Sequence, residues 1–216
     1  MRPRKVSPPP SLYRDPDTPT QIWVGSEPPQ QILCFSNLAR FRWWLSLART
    51  DYEAPQHIAA IAHGGQPLRR DIQLLKLLRE PAGAIVTVFG DLDPDDLLLY
   101  ATLSAALDPP GREARRSPVV EYSGVTSRRL LALAERVFGW DSVQASTEPF
   151  DQREAALMRF IRQKSLIDFE RLLGAKATAI LESGRRLEIE ALVPPLLEDP
   201  KSRKTLINWL RPPRRA

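Results

Sequence analysis

Asp91 and Asp93 stand two residues apart in Val86-Thr87-Val88-Phe89-Gly90-Asp91-Leu92-Asp93-Pro94, an apolar run that ends in carboxylates. On an extended backbone residues at i and i+2 share one face. Two carboxylates so placed offer hard oxygen ligands to one divalent cation, Mg²⁺ or Mn²⁺. The tripeptide alone also describes a solvated turn. Asp95 and Asp96 follow it, either as further ligands or as acids that complement the positive end of a helix. A second group is His63-Gly64-Gly65-Gln66-Pro67, with Arg69 and Arg70 just beyond. Glycine amides before a helix suit a phosphate, and a tight turn needing positive φ accounts for Gly64 and Gly65 equally well. His63 could touch phosphate or a metal-bound water, or be an ordinary packing histidine.

The elements that must position these groups alternate between strand and helix. Ile32 to Ser36 is an apolar run, and Asn37 caps a helix with Leu38, Phe41, Leu45 and Ala48 at helical spacing. His57 to Ala62 leads into the glycine turn and a helix with Leu68, Ile72, Leu75 and Leu78 on one face. Ala84 to Phe89 leads into the acidic turn and a helix through Leu97, Tyr100, Leu103 and Leu107. Pro118 to Tyr122 precedes a helix from Ser127 to about Phe138. The rhythm predicts an α/β fold: a parallel four-stranded Rossmannoid sheet with helices on both faces. Functional groups gather at the carboxyl ends of such strands.

Residues 1–30 read as a Pro-rich lead-in in which Gln21–Val24 is a candidate edge strand, and residues 31–140 as the α/β domain. Residues 141–216 read as a helical tail, with helices over 154–162, 166–181 and 188–197, a docking turn at Leu206, Ile207, Trp209 and Leu210, and a basic Pro-rich end.

A chain of 216 residues with 43% hydrophobic content holds one principal core. No apolar run approaches the ~20 residues of a membrane span. The opening Met1-Arg2-Pro3-Arg4-Lys5 lacks the apolar segment of a signal peptide, so the expected compartment is the cytoplasm. Cys34, between Leu33 and Phe35, reads as a buried small hydrophobe. Net charge +5 suits a polyanionic partner. The cations cluster at Arg2, Arg4 and Lys5; Arg112, Arg115 and Arg116; Arg185 and Arg186; Lys201, Arg203 and Lys204; and Arg211, Arg214 and Arg215. Each cluster could hold phosphates or be a solvated face. Trp43 and Trp44 read as packing or partner-contact residues.

Three segments in order resemble the Toprim domain, within it the branch of topoisomerase VI A subunits, meiotic recombination nucleases and the Wadjet anti-plasmid protein JetD. They are Leu33-Cys34-Phe35-Ser36-Asn37-Leu38-Ala39-Arg40-Phe41, His63-Gly64-Gly65-Gln66-Pro67, and Phe89-Gly90-Asp91-Leu92-Asp93-Pro94. Arg186-Leu187-Glu188-Ile189-Glu190 is similar to an element near the end of JetD-like chains, which favours that branch. The resemblance implies a Toprim-like sheet and a nuclease site acting on DNA, with Asp91 and Asp93 as catalytic carboxylates holding Mg²⁺ or Mn²⁺. It also implies a bacterial defence setting; the alternative is a non-catalytic interaction module whose helical tail docks a larger partner, for instance an SMC-type ATPase complex. The family's Glu at the end of the first strand is Ser36 here, and a neutral hydroxyl is a poor metal ligand and no general base. Three consequences stay open. The domain binds without cutting; or Asp95, Asp96, Glu121, Glu188 or Glu190 substitutes; or the aspartate pair alone supports slow cleavage. The winged-helix module of the relatives, with its nucleophilic Tyr in the topoisomerase branch, has no counterpart in the first 30 residues. Neither Tyr13 nor Tyr52 has the context for covalent cleavage.

Overall fold

The computed structural model describes residues 11–14, 20–50, 57–108, 118–133, 139–189 and 191. The architecture is α/β. A six-stranded sheet runs in the order β1-β2-β4-β3-β5-β6, where β1 is Ser11–Arg14, β2 Gln21–Val24, β3 Gln31–Phe35, β4 Ile58–Ala62, β5 Ile85–Val88 and β6 Val120–Tyr122. β3 pairs in parallel with both β4 and β5, whereas β2 is antiparallel to β4 and β1 antiparallel to β2. The sheet is therefore mixed and larger than the expected four strands. Gln21–Val24 is not an edge: β1, inside the supposed linker, lies outside it. Prolines 10 and 16 flank β1 without interrupting it, as an edge strand tolerates.

The chain divides into two compact units, residues 1–88 with 102–121 and residues 89–101 with 122–216. In the first, four consecutive residues of β3 and four of β4 are buried, so both strands are covered on both faces. This is why they read as unbroken apolar runs instead of alternating ones. Helix α1 (Leu38–Thr50) begins where the Asn37 side chain accepts the Ala39 N–H at 2.7 Å. Trp44 is buried, edge-on to Trp23 at 5.8 Å and tilted against Phe35 at 5.9 Å, so it is a core residue. Full burial of one such side chain contributes about 1.5–3 kcal/mol. Helix α2 is Arg69–Arg79. Helix α3, Pro94–Leu107, and strand β6 each cross the division between the units.

The second unit holds α4 (Ser127–Leu133), α5 (Gly139–Ala145), β7 (Glu148–Pro149), α6 (Gln152–Gln163), α7 (Phe169–Leu173), α8 (Ala175–Glu182) and β8 (Arg185–Arg186). α6 starts with a reciprocal cap: Asp151 accepts the Glu154 N–H at 2.7 Å, and Glu154 accepts the Asp151 N–H at 2.8 Å. The single helix expected over 166–181 is two, broken at Gly174 with φ 79°. A Cβ there would lie 2.9 Å from the Ser127 side chain, whose hydroxyl accepts the Ala177 N–H at 2.8 Å. α5 had no clear signal in the sequence. Most of the expected helix over 188–197, the docking turn at 206–210, Tyr52 and every basic cluster except Arg185 and Arg186 lie outside the described residues. Among the described residues no helix is long and apolar enough to cross a membrane.

Candidate metal centre around Asp91

The segment after β5 gathers its carboxylates through backbone donors, all within the second unit. Asp93 precedes α3 and acts as its N-cap: its Oδ1 accepts the Asp96 N–H at 2.8 Å and its carbonyl accepts the Leu97 N–H at 3.2 Å. Pro94 takes the first helical position, where a missing N–H costs nothing. Asp96, one turn on, reaches back and accepts the Asp91 N–H at 2.5 Å. Asp91 in turn accepts the Ile189 N–H at 2.8 Å. Beside it, Leu92 and Leu187 exchange both backbone hydrogen bonds, at 3.0 and 3.2 Å, in an isolated antiparallel bridge. The segment around Leu187, tied to the acidic turn in the sequence only by family likeness, is thus clasped directly to it.

One oxygen from each of Asp91, Asp93 and Asp96 lies within 4.8 Å of the others. Ligands at about 2.0–2.6 Å around one cation stand no more than about 5 Å apart, so the donor set fits a hard divalent ion in spacing and chemistry. Asp91 and Asp96 are buried, 3% and 1% exposed, whereas Asp93 is half-buried. Water would therefore reach an ion on the Asp93 side.

Tyr122 and Arg129 frame this turn. The Tyr122 hydroxyl donates to the Asp91 carbonyl at 2.7 Å. Burial first, then the charges of Asp96, Asp93 and Asp91, hold the phenol well above its ordinary pKa. It is a neutral donor at physiological pH. Arg129 donates to the Ser123 carbonyl, to the Ser123 hydroxyl at 2.8 Å and to the Gly124 carbonyl at 2.9 Å. Burial lowers its pKa to about 10. Two glycines permit the close approach. A Cβ on Gly124 would stand 2.3 Å from the Gly90 carbonyl, and one on Gly90 would stand 2.7 Å from the Asp96 side chain.

Of the residues singled out in the sequence, Asp91 and Asp93 come together, and the third carboxylate is Asp96, not Asp95. Asp95 instead makes a bidentate ion pair with Arg153 at 2.7 and 2.8 Å, as its position facing away from the cap requires. Glu188 pairs with Arg186 at 3.4 Å, and Glu190 lies outside the described residues. Arg186 is no free phosphate clamp, whereas Arg185 is held on neutral acceptors. Arg186 is bound by Glu154 and by Glu148 at 2.8 Å, and Arg185 donates twice to Thr147.

Ser36, His63, Gly64, Gly65, Arg69 and Arg70 belong to the first unit. Ser36 is half-buried just after β3. Gly64 and Gly65 are exposed, but only Gly65 takes positive φ, at 121°. Arg69 and Arg70 are exposed in the first turn of α2. His63 is 1% exposed, so its ring does not offer itself to a surface phosphate; Nδ1 instead lies 3.7 Å from Asp71 Oδ2. That separation is too long for a hydrogen bond. Asp71, which the sequence reading passed over, also accepts the Thr20 hydroxyl at 3.1 Å and the Leu68 N–H at 2.8 Å. Burial raises its pKa, but His63 and these donors outweigh it and hold the carboxyl below its ordinary value. Its signal was positional, an acid three residues past the helix boundary at Leu68. Cys34 is fully buried, and burial raises its thiol pKa far above the ordinary value, so it is no nucleophile.

No protein-family model matches the chain, and no curated protein matches it either.

Proposed function

We propose that this chain is a Toprim-like protein of the JetD branch that acts on DNA in the bacterial cytoplasm, in an anti-plasmid setting. In this reading β4-β3-β5-β6 form the Toprim sheet with helices on both faces, residues 141–216 are its helical extension, and the exposed Gly64, Gly65, Arg69 and Arg70 face phosphates. The observation that carries the reading is the three-carboxylate group of Asp91, Asp93 and Asp96 in the Gly-Asp-x-Asp-Pro turn. These residues would hold Mg²⁺ or Mn²⁺, which when bound supplies positive charge to a phosphate being cleaved. Asp96 restores the carboxylate count that Ser36 reduces, but not the missing base. It is buried and bonded to the Asp91 N–H, so it orients and ligates; it does not carry protons to and from solvent. Cleavage is accordingly weak. Incubation with supercoiled plasmid and Mg²⁺ or Mn²⁺ tests this: slow, metal-dependent nicking lost in Asp93→Asn is expected, and nicking unchanged by that substitution refutes it.

A second reading is a non-catalytic module that docks a larger, SMC-like DNA-handling complex. It is favoured by the same hydrogen bonds, since the Asp91 carboxylate on the Ile189 N–H and the Leu92–Leu187 backbone bridge together serve as a structural clasp. Absence of nicking together with metal-independent melting would select this reading.

A further inference from the structure

A cleft of about 500 Å³ lies within the second unit, lined by residues of α5, α8 and the β7–β8 ribbon. Its size falls in the range of small-molecule sites, about 300–1,000 Å³. Trp140 forms one wall, Ala179 and Ile180 supply apolar surface, and among the described residues Lys176 and Arg185 are the cations that line it. Among the described residues no carboxylate lines it. The two cations differ from their neighbour Arg186, which is matched by Glu148, Glu154 and Glu188. Among the described residues Arg185 is fixed on neutral acceptors, donating from Nε to the Thr147 hydroxyl at 2.6 Å and from Nη2 to the Thr147 carbonyl at 2.5 Å. Its charge is held in place without being neutralised. Lys176 has no carboxylate partner among the described residues; its ammonium rests 4.5 Å over the Trp140 ring.

Two positioned, uncompensated cations ask for an anion, and an indole beside aliphatic surface asks for a flat ring. We propose that this cleft binds one nucleotide unit, its base against Trp140, Ala179 and Ile180 and its phosphate between Lys176 and Arg185. An arriving phosphate draws the Lys176 ammonium off the indole and opens that face to the base, exchanging a weak cation–π contact for an ion pair. A base is available for such stacking only in a single strand or a free nucleotide. The choice of a strand over a free nucleotide rests on the DNA reading above; the base-plus-phosphate chemistry does not.

The test is anisotropy of a fluorescent oligothymidylate titrated with the full chain in EDTA, where a metal at the acidic group contributes nothing. Expected are a loss of about 10-fold or more in affinity for Trp140→Ala, with substantial rescue in Trp140→Phe. Lys176→Glu should weaken binding and flatten the salt dependence, lowering the slope of log K against log salt by about 0.7. Lys176 is exposed, so unchanged melting of that variant separates binding from folding. Wild-type affinity in both Trp140→Ala and Lys176→Glu overturns the proposal. So does competition by duplex DNA as strong as by the single strand, or by a polyglutamate peptide in place of the strand. Thymidine monophosphate competing as well as the oligomer keeps the cleft's chemistry and removes the strand. Metal-dependent melting of the wild type tests the acidic group separately, so either reading can fall without the other.

Discussion

Replacing Asp93 by Asn should make the metal-free protein more stable while abolishing its response to Mg²⁺. Asp91, Asp93 and Asp96 place oxygens within 4.8 Å of one another. At an effective dielectric of about 20, two unit charges at that separation repel by about 3.5 kcal/mol. Asp93 takes part in two of the three pairs. The backbone N–H groups of Asp91, Asp96 and Ile189 each donate to one carboxylate and offset part of the cost. Solvent on the half-buried Asp93 screens more of it. A net gain of about 1–2 kcal/mol remains for Asp93→Asn in EDTA, or a rise in Tm of about 2–8 °C for a chain of this size. Asn caps a helix as well as Asp does, so α3 loses nothing. Magnesium at about 100 times its Kd stabilises the wild type by about 2.7 kcal/mol, whereas the Asn variant should not respond. Melting followed by circular dichroism at 222 nm, in EDTA and in excess Mg²⁺, measures both effects. A lower metal-free Tm for Asp93→Asn would show that the three carboxylates do not repel one another, and a metal shift equal to the wild type's would show that Asp93 holds no ion. Asp93→Ala is the internal control, since it also loses the cap, worth about 1 kcal/mol.

Three further outcomes are expected. Gly124→Ala should cost about 3 kcal/mol in urea unfolding, because its Cβ would stand 2.3 Å from the Gly90 carbonyl; a loss below about 1 kcal/mol would contradict the packing around Asp91. Tyr122→Phe should cost about 1 kcal/mol through the lost bond to the Asp91 carbonyl. The raised phenol pKa also has a sign. The fold holds the proton that the unfolded chain releases near pH 10.0, so this contribution is present below that pH and is lost as pH rises above it. Stability should fall less steeply above pH 10 in the Phe variant, and ultraviolet titration of the wild type should leave one of its four tyrosines protonated there. Glu154→Ala should cost about 2–3 kcal/mol, since the buried carboxylate both caps α6 and receives Arg186. Arg153→Ala, which breaks only the exposed pair with Asp95, should cost under about 1 kcal/mol, and equal losses would show that burial does not set the difference.

Features that depend on near neighbours are legible in the order of residues alone. Strands β3, β4 and β5 are legible because a strand buried on both faces is written as a continuous apolar run, and the following helices because burial recurs at their own period. The Asp91 and Asp93 pair was legible, as was the Asn37 cap. Asp96 in preference to Asp95 was within reach too. Once Asp93 caps α3, the third helical residue points back toward the cap and the second points away.

Other features were decided by segments far apart in sequence. The Ile189 N–H meets Asp91 across 98 residues, and Arg186 meets Glu154 and Glu148 across 32 and 38. Charge counting could not reveal that carboxylates surround Arg186 while Arg185, among the described residues, rests on Thr147. It could not reveal that His63, polar and beside two glycines, is buried against Asp71. Strand β1, short and flanked in sequence by prolines, is completed by its antiparallel pairing with β2. Periodicity and capping are encoded within a few residues, because backbone dihedrals and adjacent side chains suffice to satisfy them. Directional hydrogen bonds and charge compensation need both partners at about 3 Å, and only the closed tertiary structure brings them there.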